Sequence, residues 1–272
     1  MSVGTGSAHM DRNQHALGLA LRIEVRRLLT TRTWWVLGAM AVAVGGVITA
    51  LTVAGSGESA LPALDVFTGA LTGGVQTSYL LTAIVGISAV ASEHRHRTLT
   101  TTYLATPDRA KAIAAKLIVL LGYGGAAGIA IMAACAAIAG PWLAARGLLD
   151  GPLDLMGVLR AVLGGTAAIA LMTAIGGAVG ALVPNQVAAL GGLTVYLFAL
   201  EPSINSLAST RAAYPFLPGG CVQALTYTGS TAFGSPSGAA LLHPLIAAGI
   251  LAGYTLAIVA AAIRTTVGRD VT

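Results

Sequence analysis

Apolar residues in this chain neither alternate nor follow a helical stripe; they fill long runs bounded by charges. Uncharged stretches cover 33–57, 66–92, 117–145, 161–200 and 212–263. About 20 apolar residues cross the hydrocarbon of a bilayer as a helix, so the first three runs hold one span each and the last two have room for two. Pro184-Asn185-Gln186 divides the fourth run into Ala161–Val183 and a weaker stretch from Val187 to Leu200. The fifth run opens with Tyr214-Pro215, Pro218-Gly219-Gly220 and a Ser/Thr/Gly-rich stretch, and only Leu241–Ile263 within it reads as a clean span. The pattern predicts an all-α integral membrane protein with spans at 34–54, 66–91, 117–140, 161–183, 187–205 and 241–263.

Two segments outside these spans carry structure of their own. After a flexible stretch at 1–15, residues 16–32 place Leu17, Leu21, Val25, Leu28 and Leu29 on one helical face, with Arg22, Arg26 and Arg27 beside it. Such a segment suits an amphipathic helix lying along the membrane surface, its arginines meeting anionic lipid or an acidic partner. The other segment runs for some 40 residues between Glu201 and Leu241, almost without charge. Irregular backbone enters membrane depth only where protein or a water-filled cavity satisfies its polar groups, so a re-entrant hairpin over Tyr214–Gly234, within 212–240, is predicted.

Composition agrees: 56% of residues are hydrophobic and 9% charged, with a mean hydropathy of +0.81. A soluble domain carries roughly 25% charged residues, too many for this chain to imitate. Basic residues accumulate in short cytoplasmic segments of membrane proteins. On a six-span map, one side receives Arg12, Arg22, Arg26, Arg27, Arg32, Arg95, Arg97, Arg109, Lys111, Lys116, Arg264 and Arg269, which is 12 of the 15 basic residues. Both termini are therefore expected in the cytoplasm. The other side receives Arg146, Arg160 and Arg211, diluted by Glu58, Asp65, Asp150, Asp154 and Glu201. No secretory signal is recognised in the polar first 32 residues, so the first span is expected to stay as an anchor. Cys135 and Cys221 lack metal-ligand spacing and read as small packing residues, and the pairs Gly69/Gly73, Gly124/Gly128 and Gly176/Gly180 stand at the spacing that lets helix backbones approach closely.

The chemistry is as informative where it is missing. None of the spans shows a central Asp, Glu, Lys, Arg or His, which an ion-coupled transporter or an intramembrane protease needs. His9, His15, His94, His96 and His243 all lie outside or at the edge of helices. The chain's only lysines, Lys111 and Lys116, each follow Ala, so no Gly-Lys-Ser/Thr phosphate loop exists. No catalytic or metal-binding set is expected, and ATP and Mg, if used, belong to another chain. Gln76, Ser78, Tyr79, Tyr123 and Tyr196 are the scattered polar groups that could line a pathway for an amphipathic or hydrophobic molecule.

One substantial loop, 92–116, joins the second and third spans and reads Ser92-Glu93-His94-Arg95-His96-Arg97-Thr98-Leu99, then Tyr103-Leu104-Ala105-Thr106-Pro107-Asp108-Arg109 and Lys111 to Lys116. A mixed-charge cluster at a membrane edge, with Leu99, Tyr103 and Leu104 as an apolar anchor, suits a partner contact. In its order of Glu93, Thr98-Leu99, Pro107, Arg109 and Lys116 the loop resembles the permease subunits of ABC-2-type ABC transporters. The layout of the whole chain is similar too: amphipathic helix, six spans, a short loop after the fourth and a long outer segment before the sixth. One departure is Arg97, where many relatives carry Gly. The resemblance implies an exporter of the bacterial cytoplasmic membrane in which two membrane subunits, a homodimer or a heterodimer, work with two copies of a cytoplasmic ATPase. It also implies a coupling helix within this loop, seated in a cleft of the ATPase, with Glu93, Arg95, Arg97, Thr98, Leu99, Tyr103, Pro107 and Arg109 as contact residues. The competing readings are a membrane scaffold or assembly protein without transport activity, and a secondary transporter. Nucleic-acid binding is a poor reading because the basic residues are divided among three membrane edges.

Overall fold

A computed structural model of the chain describes residues 18, 21–28, 30–56, 63–96, 109–145, 155–183, 185–227 and 241–269. Among these residues there are helices and no strands. We number the helices α1 (Arg32–Gly55), α2 (Ala63–His96), α3 (Arg109–Ala145), α4 (Leu155–Leu182), α5 (Gln186–Ser206, with a π-helical turn at Tyr196–Leu200), α6 (Pro218–Thr226) and α7 (Pro244–Arg269). All but α6 contain a stretch long and apolar enough to cross a membrane: Arg32–Gly55, Val66–Ala91, Ile113–Ala145, Leu155–Leu182, Gln186–Ser206 and Pro244–Arg264. This is a multi-pass all-α membrane protein with six such helices. The 92–116 stretch is partly helical, because α2 runs on to His96 and α3 begins at Arg109.

Burial is inverted relative to a soluble bundle. Trp35, Val47, Leu51, Ile129, Leu163, Val195, Phe198 and Leu256 are exposed, whereas Thr49, Ser78, Thr82 and Thr173 are fully buried. Between helices in lipid there is no hydrophobic drive, so close packing and interhelical hydrogen bonds take its place. The Ser78 hydroxyl donates to Ala41 O at 2.8 Å and that of Thr49 to Ala70 O at 3.2 Å, tying α1 to α2. Other hydroxyls bond back within their own helix, as Thr173 does to Ile169 O at 2.7 Å.

The two central helices are α2 and α4, with 67% and 50% of their apolar windows buried. They touch backbone to backbone. A Cβ on Gly180 would stand 2.7 Å from Ile87 O, and one on Gly176 would collide with Ala83 O. Gly124 and Gly128 do the same for α3 against α4, where a Cβ would come within 2.7 Å of Ala170 Cα and 2.9 Å of Thr166 Cα. Cys135 and Cys221 are fully buried in the packing.

The turn from α4 to α5 shows why the run breaks there. Asn185 caps α5, its Oδ1 accepting from Val187 N at 3.0 Å and Ala188 N at 3.3 Å. Gln186 Nε2 then donates to Ser88 Oγ at 3.3 Å, fixing the turn to α2.

Beyond α5 the chain folds back into the bundle. A 3-10 turn at Arg211–Phe216 leads to α6, in which nearly every residue is buried. Tyr254, ten residues along α7 from Pro244, donates to Phe216 O at 3.2 Å. At 1.5 Å per residue that lies about 15 Å from the start of α7, half the thickness of a bilayer core of roughly 30 Å. The far end of α6 meets the outer parts of α2 and α4: Thr72 donates to Thr226 O at 3.2 Å, and a Cβ on Gly164 would collide with Leu225 O. Arg211–Thr226 therefore packs among the spans, against α2, α4 and α7. The remainder of the predicted 212–240 segment, residues 228–240, lies outside the described residues, as does the predicted flexible stretch at 1–15.

Candidate functional site

Two places concentrate polar chemistry, one at the end of the bundle that carries residues 21–28, the other inside it.

At that end, residues 21–28 are helical and close on themselves at Thr31, whose N–H and hydroxyl both donate to Arg27 O, at 3.2 and 2.8 Å. Thr31 itself is extended, so the chain turns before α1 begins. Arg22 and Arg26 are exposed, Arg27 half-buried. Glu24 reaches Lys116 at the start of α3, Oε1 to Nζ 3.5 Å, with side-chain exposures of only 16% and 10%. Beside the pair is a narrow crevice lined by Glu24, Arg27, Leu28, Trp34, Lys116 and Leu120 among others. Tyr123 completes this corner: its hydroxyl donates to Trp34 O at 2.9 Å, and its ring meets the indole edge-on at 6.3 Å. That is a packing role between α1 and α3, and Tyr123 belongs here rather than with the interior polar groups.

The predicted partner-contact residues divide between described backbone and undescribed loop. Glu93 and Arg95 fall in the last turns of α2 and Arg109 begins α3, with no side-chain contacts described for them. Arg97, Thr98, Leu99, Tyr103 and Pro107 lie outside the described residues.

The interior site is one that sequence reasoning missed. Glu201, expected on the outer surface among diluting acids, lies within α5 with 2% of its surface exposed. The reason is local. Pro202 has no N–H to continue the α-helical ladder, and the turn before it widens, Glu201 N bonding Tyr196 O five residues back. The carboxylate is thereby carried toward the start of α6, where its Oε2 accepts from Gly219 N at 2.8 Å. Glycine at 219 leaves room for this approach, because a Cβ there would collide with that oxygen and the carboxyl would have to shift. The N–H end of α6 faces the carboxyl group, a favourable arrangement. Tyr196 presents its phenol to the same carboxylate, and Tyr79, Tyr214 and Tyr254 lie within its electrostatic reach. Oε1 has no hydrogen-bond partner among the described residues.

Of the five predicted pathway residues, Tyr79 and Tyr196 lie beside Glu201, Gln76 lies one turn from Tyr79 along α2 and is half-buried, Ser78 is taken up by its bond to α1, and Tyr123 does not join them. The signal available in the sequence was Glu201-Pro202 itself, a lone acid followed by a helix breaker between two apolar runs. Among the described residues no group of His, Cys, Asp or Glu forms a metal site. Neither family models nor curated proteins gave a match to this sequence.

Proposed function

We propose that the chain is the transmembrane subunit of an ABC-2-type exporter, forming a pathway for an amphipathic or hydrophobic substrate and driven by a separate ATPase. The observation that carries this reading is the junction of Glu24 and Lys116. It fastens the N-terminal helical segment to the first turns of α3, next to the end of α2 that bears Glu93 and Arg95. A push on the 92–109 region by a cytoplasmic partner would thus move three elements together, which is what coupling ATP hydrolysis to a helical bundle requires. A buried carboxylate inside the bundle fits a transport protein better than a scaffold, because such groups are costly in a membrane interior and are kept where they act.

The test is co-expression with a candidate ATP-binding-cassette ATPase, and a reading frame for one beside this gene would support the reading. The purified chain alone should hydrolyse no ATP, and the pair should show stimulated hydrolysis. Glu93→Ala, Arg97→Ala and Leu99→Asp should each lower ATPase capture or transport by one to three decades, since breaking one member of a desolvated charge pair costs about 2–5 kcal/mol and 1.4 kcal/mol is tenfold. Arg211→Ala, at the opposite end, should leave capture unchanged. Loop variants that bind and transport like the parent overturn the coupling assignment.

A further inference from the structure

The geometry points to Glu201 as a binding subsite for a protonated amine, so that the molecules this chain handles are amphipathic organic ammonium ions. The argument starts from what the carboxylate lacks. A buried carboxylate is satisfied by positive charge and by hydrogen-bond donors to both oxygens. Glu201 has the Gly219 N–H on Oε2 and the Tyr196 phenol beside it, and Oε1 has no hydrogen-bond partner among the described residues. No described cation faces it from any element around it. On α2 the basic residues stand at the far end, at His94, Arg95 and His96. On α4, Arg160 lies near the start of the helix and is exposed. Arg211, the nearest in sequence, turns away to the end of α5, its guanidinium donating to Asn205 O at 3.1 Å and Ser206 O at 3.5 Å. On α7 the first arginine is Arg264, twenty residues beyond Pro244. Neither α5 nor α6 contains another charged residue.

An ammonium group supplies both missing things at once, a positive charge and N–H donors for Oε1. A metal ion would want several carboxylates or carbonyls, and Glu201 is a single acid among phenols. The phenols of Tyr79, Tyr196 and Tyr214 suit an organic cation, since they offer polar oxygens and aromatic surface without opposing charge. Access comes through α5, the helix that carries the site: only 22% of its apolar window is buried, as little as in any of the six spans, and Val195, Phe198 and Leu200 are exposed on the turn before Glu201.

This deepens the exporter reading by naming its substrate class, and rests on that reading for transport alone; binding needs no ATPase. The experiment uses the full chain in nanodiscs of neutral lipid with dodecylammonium as probe, dodecanol as its uncharged counterpart and protein-free nanodiscs as background. Dodecylammonium should bind the wild type saturably. Glu201→Gln should weaken that binding tenfold or more, and Glu201→Asp, which keeps the charge but withdraws it by one methylene, at least threefold, with dodecanol uptake the same in all three. Gel filtration shows which variants fold. Wild-type chain that takes up no more dodecylammonium than empty nanodiscs overturns the proposal, as does a folded variant of either kind with wild-type affinity. Saturable, Glu201-dependent binding without ATPase-driven movement of the probe leaves the site standing and removes the exporter.

Discussion

Separating Glu24 from Lys116 should weaken the attachment of the N-terminal segment by a measurable amount. The pair is 3.5 Å apart, with both side chains at least five-sixths buried. Coulomb attraction at that distance is on the order of 5 kcal/mol for an effective dielectric near 20. Desolvation of both ions offsets much of it. What remains for the pair is a coupling of about 1–3 kcal/mol, the range of directly contacting residues. A double-mutant cycle measures that quantity: Glu24→Gln, Lys116→Gln and the double variant, each followed by thermal unfolding of the purified chain and by stimulation of the partner ATPase. Each single change leaves a charge buried at the membrane edge and should cost more than the double change implies by addition. Strictly additive effects, within about 0.5 kcal/mol, would refute the claim that the segment is held by this contact.

Two further outcomes are expected. Gly176→Leu should abolish a monodisperse gel-filtration peak, because its side chain has to enter the backbone of α2, whereas Gly249→Leu, with nothing within 4 Å, should leave the peak unchanged; overpacking of this kind costs about 1–3 kcal/mol or more. Cysteines introduced beside Arg95 and Arg269 should resist an impermeant thiol reagent in intact cells while one beside Glu58 is labelled, and labelling at Arg95 would reverse the assigned orientation.

The helical bundle was legible because charge is so unevenly spread. Asp, Glu, Lys and Arg are expelled from the bilayer core, so the gaps between them outline helices without any appeal to helix propensity. The α4–α5 turn was legible for a different reason: Pro184-Asn185-Gln186 combines a helix breaker with a capping side chain, and Asn185 does cap α5. Glu201 could not be placed the same way, because a charge next to an uncharged run marks equally well the end of a span and a buried group. What decides between these is the partner, and Gly219 is 18 residues away in a segment whose path is irregular. Tyr79, Tyr123 and Tyr196 looked alike as scattered polar residues. Only the fold separates the one that braces Trp34 from the two beside the carboxylate.

The seam between α2 and α4 bears on how such a molecule could change shape. Two helices that meet through glycine present flat backbone to each other, and a carbonyl such as Ile87 O or Ala83 O has no rotamer with which to yield. Contacts of that kind are kept or lost as a whole, so the pair behaves as one beam. Movement is left to the helices hung around it: α1, α3, α5 and α7 bury only 22–28% of their apolar windows within the chain. In any change of shape the beam is then the stationary part, and the outer helices are what swings against it.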